Sequence, residues 1–406
     1  MIIPIIFIFL GFNLSPLYDT TDYKYLLQYE PGVISYQDLD FFGIGRGYFR
    51  KSLLPRTETY FSLRYFKKYY SRKADYFLSI RPSPSIYIRE DNTSLGFNLS
   101  VNGDWNYYPL KDYFFTLLGG DFTGVWYNRE SVRYYSVSGE IRAGIGVGRI
   151  IPIMPIYKAL KIEQELMNLG MLTGSLSKDK LEEIADQVRE RGEYDDPRHF
   201  WRDLESVIVN SEQFKENNLG AVPTIRIDKI LSSYPYMHRY YLENKYVDIF
   251  EIVPKRFEAV YPYRRGRGFK GELYFGNLYN KHYVTSCYDR ESNKNFVGAR
   301  FNYSHPLSIN LQFSFNSIAE VFITDSIYWR KAAIEVDLTY ELFNQMFTYW
   351  KYNYNGLGKW LGRTSLGFIY YIDYKMALEL RGEVLYSEKN NDFKGEIFLG
   401  FNYLFF

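Results

Sequence analysis

The chain of 406 residues has a single cysteine, Cys287, which excludes an intramolecular disulfide and any thiolate metal site. We interpret Cys287 as a small strand residue without a special role. After the first ten residues, no continuous apolar run reaches the ~18 residues that a membrane-spanning helix needs. The formal net charge of only +2 gives no reason to expect a nucleic-acid partner.

Histidine is also scarce, and its placement does not indicate a catalytic site. His282 shares a strand face with Ser286, but four residues along a strand span roughly 13 Å, too far for a hydrogen bond. The acidic groups in the middle of the chain are interpreted as a helix start and a solvated helix face, and no calcium-binding loop motif occurs. We therefore predict no catalytic residues, no cofactor and no metal. The other histidines are His199, His238 and His305.

Aromatic residues, in contrast, are abundant, with 42 Tyr and 32 Phe. Such an excess is typical of membrane β-barrels, which carry aromatic girdles where their outer surface meets the lipid headgroups. An AT-rich genome would also raise the content of Tyr and Phe, so composition alone does not decide the class.

The first ten residues are almost wholly apolar and have the length of a signal-peptide core. We predict a signal peptide over residues 1–15, with cleavage near Ser15. Two features depart from the usual pattern, because no Lys or Arg precedes the apolar run and no A-x-A site follows it.

Strict alternation of apolar and polar residues dominates the rest of the chain, and residues 307–316 alternate without a break. Alternation places one residue type on each face of a strand. Soluble sandwiches also alternate, but here many segments reach the ~9–11 residues of a membrane-crossing strand, and their polar faces carry charges of both signs. We predict that the following residues face the lumen: Glu140, Arg142, Arg300, Glu335, Asp337, Glu379, Arg381 and Glu383.

The C-terminal residues Ile397, Leu399, Phe401, Tyr403 and Phe405 form one hydrophobic face. This pattern resembles the C-terminal signature of bacterial outer-membrane β-barrel proteins, as a general porin-like class, although Phe406 shifts its register by one. The resemblance implies that Phe401, Tyr403 and Phe405 are an assembly signal read by the barrel assembly machinery. It also implies an outer-membrane location, in contact with lipid and lipopolysaccharide.

The fold class predicted is an all-β transmembrane barrel, antiparallel, of about 16 strands (12–18), with an α-helical insertion. Barrels of this class have short periplasmic turns and longer outer loops. On this basis Tyr374-Lys375 and residues 304–306 are predicted as periplasmic turns, and residues 387–393 as an outer loop. The basic segment 264–267 then falls on the outer side, either against lipopolysaccharide phosphates or simply in solvent.

The predicted domain order places an N-terminal segment of uncertain structure at 16–57, the first part of the barrel at 58–150 and its second part at 249–406. Residues 16–57 have three possible structures: a periplasmic arm, a lumen-lining segment or a further hairpin. The helical insertion, at 151–248, is predicted from apolar stripes at helical spacing, from Gly170 and Gly192 as helix ends, and from Asp196-Pro197 as a helix start.

Three glycines, Gly144, Gly146 and Gly148, lie on one face of the strand that precedes the insertion. They lack the strand–turn–helix context of a phosphate-binding loop. We interpret them as the place where the barrel wall makes room for a helix, which favours helices 152–208 lying in or across the periplasmic mouth as a plug over a free periplasmic domain.

The function predicted is an outer-membrane channel or transporter, not an enzyme, with access controlled by the helical plug or periplasmic domain. The alternative is a structural or secretion/assembly protein of the outer membrane whose helical domain binds a periplasmic partner. A barrel with an embedded enzymatic site is a third, weaker alternative.

Overall fold

The computed structural model describes residues 20–50, 53–89, 92–110, 113–129, 132–191, 194, 196–232, 265–284, 288–323, 327–343, 346–356, 360–371, 376–387 and 392–403. The predicted signal peptide and Phe405 therefore lie outside the described residues. None of the described helices is both long enough and apolar enough to cross a membrane.

The chain folds mostly as one antiparallel sheet of fourteen strands, each paired with its neighbours in chain order. Among the described residues, no pairing joins the first strand to the last. The strands are β1 (Ile34–Arg50), β2 (Leu53–Tyr70), β3 (Ala74–Arg89), β4 (Asn92–Leu110), β5 (Phe114–Arg129), β6 (Val132–Pro152), β7 (Gly266–Val284), β8 (Tyr288–Pro306), β9 (Leu311–Ile323), β10 (Tyr328–Phe343), β11 (Met346–Gly356), β12 (Trp360–Tyr371), β13 (Met376–Ser387) and β14 (Asp392–Tyr403).

The sheet begins earlier in the chain than residue 58, because β1 and β2 form a hairpin that spans residues 34–70. A short helix, α1 (Thr20–Gln28), precedes this hairpin. Of the three structures considered for the N-terminal segment, the hairpin is the one that the described residues adopt.

Four further helices lie between β6 and β7: α2 (Met154–Asn168), α3 (Lys178–Glu190), α4 (Pro197–Val209) and α5 (Ala221–Ser232). The local signals explain these bounds. The Asp196 carboxylate accepts a hydrogen bond from the Arg198 backbone amide at 2.8 Å, and Pro197 occupies the first turn of α4. After α2, Gly170 adopts a φ of +71°, a conformation that glycine tolerates and that ends helices.

The two ends of the sheet differ in what they carry. Helices α1 to α5 and the turns after β2, β4, β8, β10 and β12 lie at one end, called here the helix-bearing end. The other hairpin turns lie at what we call the opposite end. The strand bounds leave two to four residues between consecutive strands at both ends, the insertion apart. Of the predicted outer loop at 387–393, Ser387 lies in β13 and Asp392 begins β14, and the residues between them are outside the described residues. Loop length therefore does not distinguish the outside from the periplasm.

Apolar side chains cover the outside of the sheet, and charged side chains lie inside it. Ile141 and Leu273 are 67% and 65% exposed, whereas Glu140 and Glu272, one residue away on the same strands, are 6% and 3% exposed. This arrangement inverts that of a soluble protein, in which apolar side chains are buried and charges are exposed.

The alternation over residues 307–316 predicts a strand that starts too early. Residues 307–310 form a turn instead, in which the Ser308 hydroxyl accepts hydrogen bonds from the amides of Asn310 and Leu311 at 3.2 and 3.0 Å. Ile309 is buried at 3% exposure in the core of the helical insertion. Its apolar character therefore reflects contact with helices, not a position on a strand.

The basic segment lies at the helix-bearing end together with the insertion, so an outer basic segment and an insertion at the periplasmic mouth cannot both be right. Pro152 pairs with Gly266, which places Arg265 and Arg267 next to the insertion. Alternation suggests separate strands at 269–278 and 282–289, but residues 269–284 belong to one strand, β7, so a count back from the C-terminus contains one crossing too many at this point. Residues 249–264 lie outside the described residues, and β7 begins at Gly266.

Candidate functional site

Three of the predicted lumen-facing residues, Glu140, Arg142 and Arg300, converge inside the sheet. They belong to a network of ion pairs, called here the charge cluster, that draws on every strand from β4 to β10. Its members are Asp104, Asp121, Glu140, Arg142, Lys270, Glu272, Arg300, Glu320 and Arg330.

Arg142 is the most connected member of the charge cluster. Its guanidinium nitrogens lie 2.9 Å from Asp104 Oδ1, 3.1 Å from Glu140 Oε1 and 3.3 Å from Asp121 Oδ2. The Arg142 side chain is only 9% exposed, so these contacts are shielded from water. A guanidinium presents five donors in a fixed fork, which suits it to several carboxylates at once.

Arg330 connects the two sides of the charge cluster. It forms an ion pair with Glu140 on β6 and another, at 2.8 Å, with Glu320 on β9. Tyr274 also donates its hydroxyl hydrogen to Glu320, at 2.7 Å. The Glu320 carboxylate, which is only 2% exposed, is therefore bonded from two directions.

Some of these ion pairs join strands that are four positions apart in the sheet. Arg330 on β10 reaches Glu140 on β6, and Arg300 on β8 lies 3.7 Å from Asp104 on β4. In a flat sheet four strands span roughly 19 Å, farther than two such side chains reach together. The sheet must therefore curve strongly around the charge cluster, and these pairs cross its concave side.

Sequence reasoning missed Arg330 because a β-bulge interrupts the alternation at that point. Trp329 pairs with Val321 and Lys331 pairs with Glu320, so Arg330 is an extra residue without a partner in the neighbouring strand. Alternation along β4, β5, β7 and β9 does place Asp104, Asp121, Glu272 and Glu320 on the polar faces of their strands. Their clustering depends on curvature, which the sequence pattern does not reveal.

The other predicted lumen residues lie away from the charge cluster. Asp337 accepts a hydrogen bond from the Thr339 hydroxyl at 3.0 Å, and Glu335 is half-buried on the same strand. Glu379, Arg381 and Glu383 lie on β13, and Phe401 and Tyr403 lie on β14. The side chains of these five residues are outside the described part of the structure.

The glycines of β6 make room for aromatic rings and not for a helix, so that interpretation was wrong. A Cβ atom on Gly146 would overlap the ring of Phe115, and one on Gly144 would lie 2.7 Å from Tyr274 Cβ. The next strands repeat this arrangement, because the Tyr274 ring covers Gly298, its partner in the ladder. Rings from neighbouring strands thus fill the space that each glycine leaves.

The helical insertion contacts the inner rim of the sheet through α2. Lys161 donates a hydrogen bond to Asn310 Oδ1 at 2.7 Å and lies 3.6 Å from the Glu341 carboxylate. Arg265 also approaches Glu341, at 3.7 Å, and stacks on the ring of Tyr157, 3.9 Å from its centroid. Burial and the nearby charge of Arg265 lower the pKa of Lys161 to about 7.

The apolar core of the insertion extends to the strands as well. It includes Ile309 in the turn before β9 and Tyr349 on β11, together with residues of α1 to α5. Helix α1 joins at its C-terminal side, where Arg267 donates a hydrogen bond to the Tyr29 carbonyl at 2.7 Å. The helices and the rim of the sheet are therefore packed as one unit at this end.

The structure contains a serine–histidine pair that the sequence pattern does not predict. Ser136 Oγ and His282 Nδ1 are 2.7 Å apart, because the two residues are partners on adjacent strands β6 and β7. Alternation along the sequence relates His282 only to Ser286, which lies outside the described residues. Within the described part of the chain, no carboxylate is hydrogen-bonded to the other ring nitrogen of His282.

No family model matches the chain, and a search of curated proteins finds no match. The matching solved structures are bacterial outer-membrane β-barrel proteins. They include the translocator domain of the autotransporter NalP from Neisseria meningitidis, with a TM-score of 0.32, 8% identity and 89% of each chain covered. Another is the CymD monoaromatic hydrocarbon channel, with a TM-score of 0.30, 8% identity, and 93% of this chain and 90% of that one covered.

A third match is Pseudomonas aeruginosa OpdK with vanillate, with a TM-score of 0.27, 7% identity, and 91% of this chain and 97% of that one covered. These TM-scores correspond to low structural similarity. The three proteins belong to the class that the C-terminal residues resemble, and the function proposed below depends on the geometry of this chain alone.

Proposed function

We propose that the chain is an outer-membrane β-barrel channel or transporter and that its helical insertion controls access at the helix-bearing mouth. One observation carries this proposal: the sheet is apolar outside and charged inside. Exposed aliphatic side chains of 65–67% exposure, such as Ile141 and Leu273, have no solvation cost in a bilayer, whereas buried ion pairs need a polar interior.

Closure of the sheet into a barrel is part of the proposal. Ion pairs between strands four apart require strong curvature, and a curved sheet of fourteen strands has an unsatisfied edge unless β1 and β14 meet. In the hydrocarbon of a membrane, an open edge costs several kcal/mol for each unpaired backbone group. A barrel of about fourteen strands is wide enough for a lumen unless side chains or a plug fill it.

The contacts of the insertion support a role in closing that lumen. Glu341 lies two residues before the end of β10, and Tyr349 lies three residues after the start of β11. At roughly 3.3 Å per residue, the helices therefore reach about 7–10 Å inside the rim. Contacts at this depth favour a plug seated in the mouth over a domain hanging free of it.

We propose the periplasm as the compartment of the helix-bearing end. The C-terminal strand ends on that side, as the resemblance to outer-membrane proteins implies, and Phe401, Tyr403 and Phe405 would serve the assembly machinery. Lipid and lipopolysaccharide are the proposed contacts of the outer face.

We also propose that the chain has no enzymatic role. The Ser136–His282 pair is the nearest approach to a catalytic arrangement, but a nucleophilic serine needs an oriented histidine. The Ser136 hydroxyl lies on a continuous strand, and its side chain is only 9% exposed. Neither feature favours attack on a substrate.

The test is conductance in planar bilayers, with and without the insertion. Because Pro152 and Gly266 are paired, a two-residue turn such as Asn-Gly can replace residues 153–265 and continue the β6–β7 hairpin. We expect rare openings of the full chain and a large steady current from the deletion variant. An unchanged current from a folded variant would refute the plug. No current from either protein would refute the channel and favour binding of a periplasmic partner.

A further inference from the structure

The interior between the charge cluster and the opposite end has a different chemistry from the charge cluster. Two ladder rows cross β3 to β8 there, each with one inward-facing residue per strand. Hydroxyl and amide groups predominate in both rows. The first row is Arg81, Ser100, Thr123, Ser138, Asn280 and Ser292, and the second is Ser83, Asn98, Val125, Ser136, His282 and Arg290.

These residues face inward because alternation continues from the buried charges. Ser136 is 9% exposed and Glu140 is 6% exposed on β6, while Ile141 points outward. The hydrogen bond from Ser136 to His282 places His282 on the same face of β7. Apart from Ser136 and the more exposed Arg290, the members of both rows are half-buried, as expected for side chains that line a water-filled space.

The ionisable residues of the two rows are all basic: Arg81, His282 and Arg290. Lys294 adds a further cation at the edge nearest the charge cluster. Its ammonium donates a hydrogen bond to the Tyr328 hydroxyl at 2.7 Å and lies 5.4 Å from the centroid of the Phe322 ring, both neutral partners. The two rows contain no carboxylate, and the ones on the ladder row of Lys294, namely Asp121 and Glu140, are paired with arginines of the charge cluster.

We infer that this surface, the basic vestibule (both rows with Lys294), takes up small hydrophilic anions that carry a carboxylate or phosphate group. The inference rests on the proposed channel function and names its substrate class. Like charges on the walls of a cleft focus the potential and raise the local concentration of ions of opposite sign. Serine, threonine and asparagine side chains can donate hydrogen bonds that replace part of the hydration of an anion.

The charge cluster bounds the basic vestibule on the side of the helix-bearing end. Its guanidinium groups are already paired, because Arg142, Arg300 and Arg330 each hold two or more carboxylates, and the charge cluster contains five carboxylates and four cations. Selection for anions is therefore assigned to the basic vestibule, whose surface repels cations.

The first experiment measures ion selectivity of the full chain from the reversal potential across a KCl gradient. We expect chloride to be favoured over potassium, and Lys294→Gln to lower the permeability ratio about threefold, the Coulomb effect of one charge about 6 Å from an ion in water. The matched control is Lys281→Gln, which removes an outward-facing cation paired with Glu291 at 3.5 Å and should leave the ratio unchanged.

The second experiment does not need an open channel. Binding of the trianionic dye pyranine to the full chain in neutral detergent is followed by fluorescence anisotropy, for the wild type, Lys294→Gln, His282→Gln and Lys281→Gln. We expect saturable binding that weakens severalfold in the first two variants only. Such binding without any current would refute the channel but support the anion site. Cation selectivity, or dye binding that is equal in all four proteins, would overturn the inference and leave the channel intact.

Discussion

Replacing Arg142 by methionine should destabilise the protein more than any other single change in the charge cluster. The substitution keeps most of the side-chain volume but removes the cation that contacts Asp104, Glu140 and Asp121 at 2.9–3.3 Å. Removing one partner of a buried ion pair costs ~3–5 kcal/mol, because the remaining charge stays buried. Asp104 and Glu140 each keep a second arginine, so we expect about 3 kcal/mol.

The assay is urea unfolding of the protein in phospholipid vesicles, followed by tryptophan fluorescence. Arg142→Lys keeps the charge but cannot contact three carboxylates, so its loss should be smaller than that of Arg142→Met. The control Ile141→Val changes the adjacent, 67% exposed position and should cost under ~1 kcal/mol, since the side chain remains apolar. If Arg142→Met unfolds at the wild-type urea concentration, the charge cluster does not stabilise the interior and this reasoning fails.

Two further predictions concern packing and pH. Gly298→Val should cost ~1–3 kcal/mol in the same urea assay, because its Cβ would overlap the Tyr274 ring, whereas Gly382→Val, where nothing lies within 4 Å, should cost less. Burial and the nearby charge of Arg191 lower the pKa of Lys158 to about 7 in the folded insertion. Between pH 7 and the ordinary pKa of lysine, Lys158 is therefore protonated in the unfolded chain but not in the folded one. Stability of the helices should therefore rise with pH over that range, by at most ~1.4 kcal/mol per unit from Lys158 and as much again from Lys161, whose pKa is also lowered to about 7. Lys158→Met should reduce the slope to that of Lys161, as measured by hydrogen exchange of α2, and an unchanged pH dependence would exclude Lys158 as a source.

Local signals in the sequence were enough to place the helices of the insertion. Asp196-Pro197 begins α4 and Gly170 follows the end of α2, because caps and glycine act on the neighbouring backbone. Alternation likewise identifies inward-facing Glu140 and Arg142, since side chains on a strand change face at each residue.

Side-chain contacts between different strands could not be predicted from the sequence in the same way. The Ser136–His282 pair depends on the register of β6 against β7, and the Arg330–Glu140 pair depends on both a bulge and the curvature of the sheet. Counting one strand too many placed Arg265 and Arg267 at the wrong end of the sheet relative to the insertion. Each added strand moves every residue before it to the other end of the sheet. Faces are therefore predictable from the sequence, whereas neighbours across the sheet are not.

The claim that the apolar outer face lies in lipid is tested most directly by spin labelling along β7. Single cysteines at residues 272–276, in a Cys287→Ser background, would carry nitroxide labels in protein reconstituted into vesicles. Accessibility to oxygen, which concentrates in lipid, and to a water-soluble nickel chelate is then measured at each position. We predict high oxygen and low nickel accessibility at Leu273 and Phe275, which are 65% and 52% exposed, and low oxygen accessibility at Glu272 and Tyr274. High nickel accessibility at Leu273 and Phe275 would place this face in water and contradict the membrane barrel.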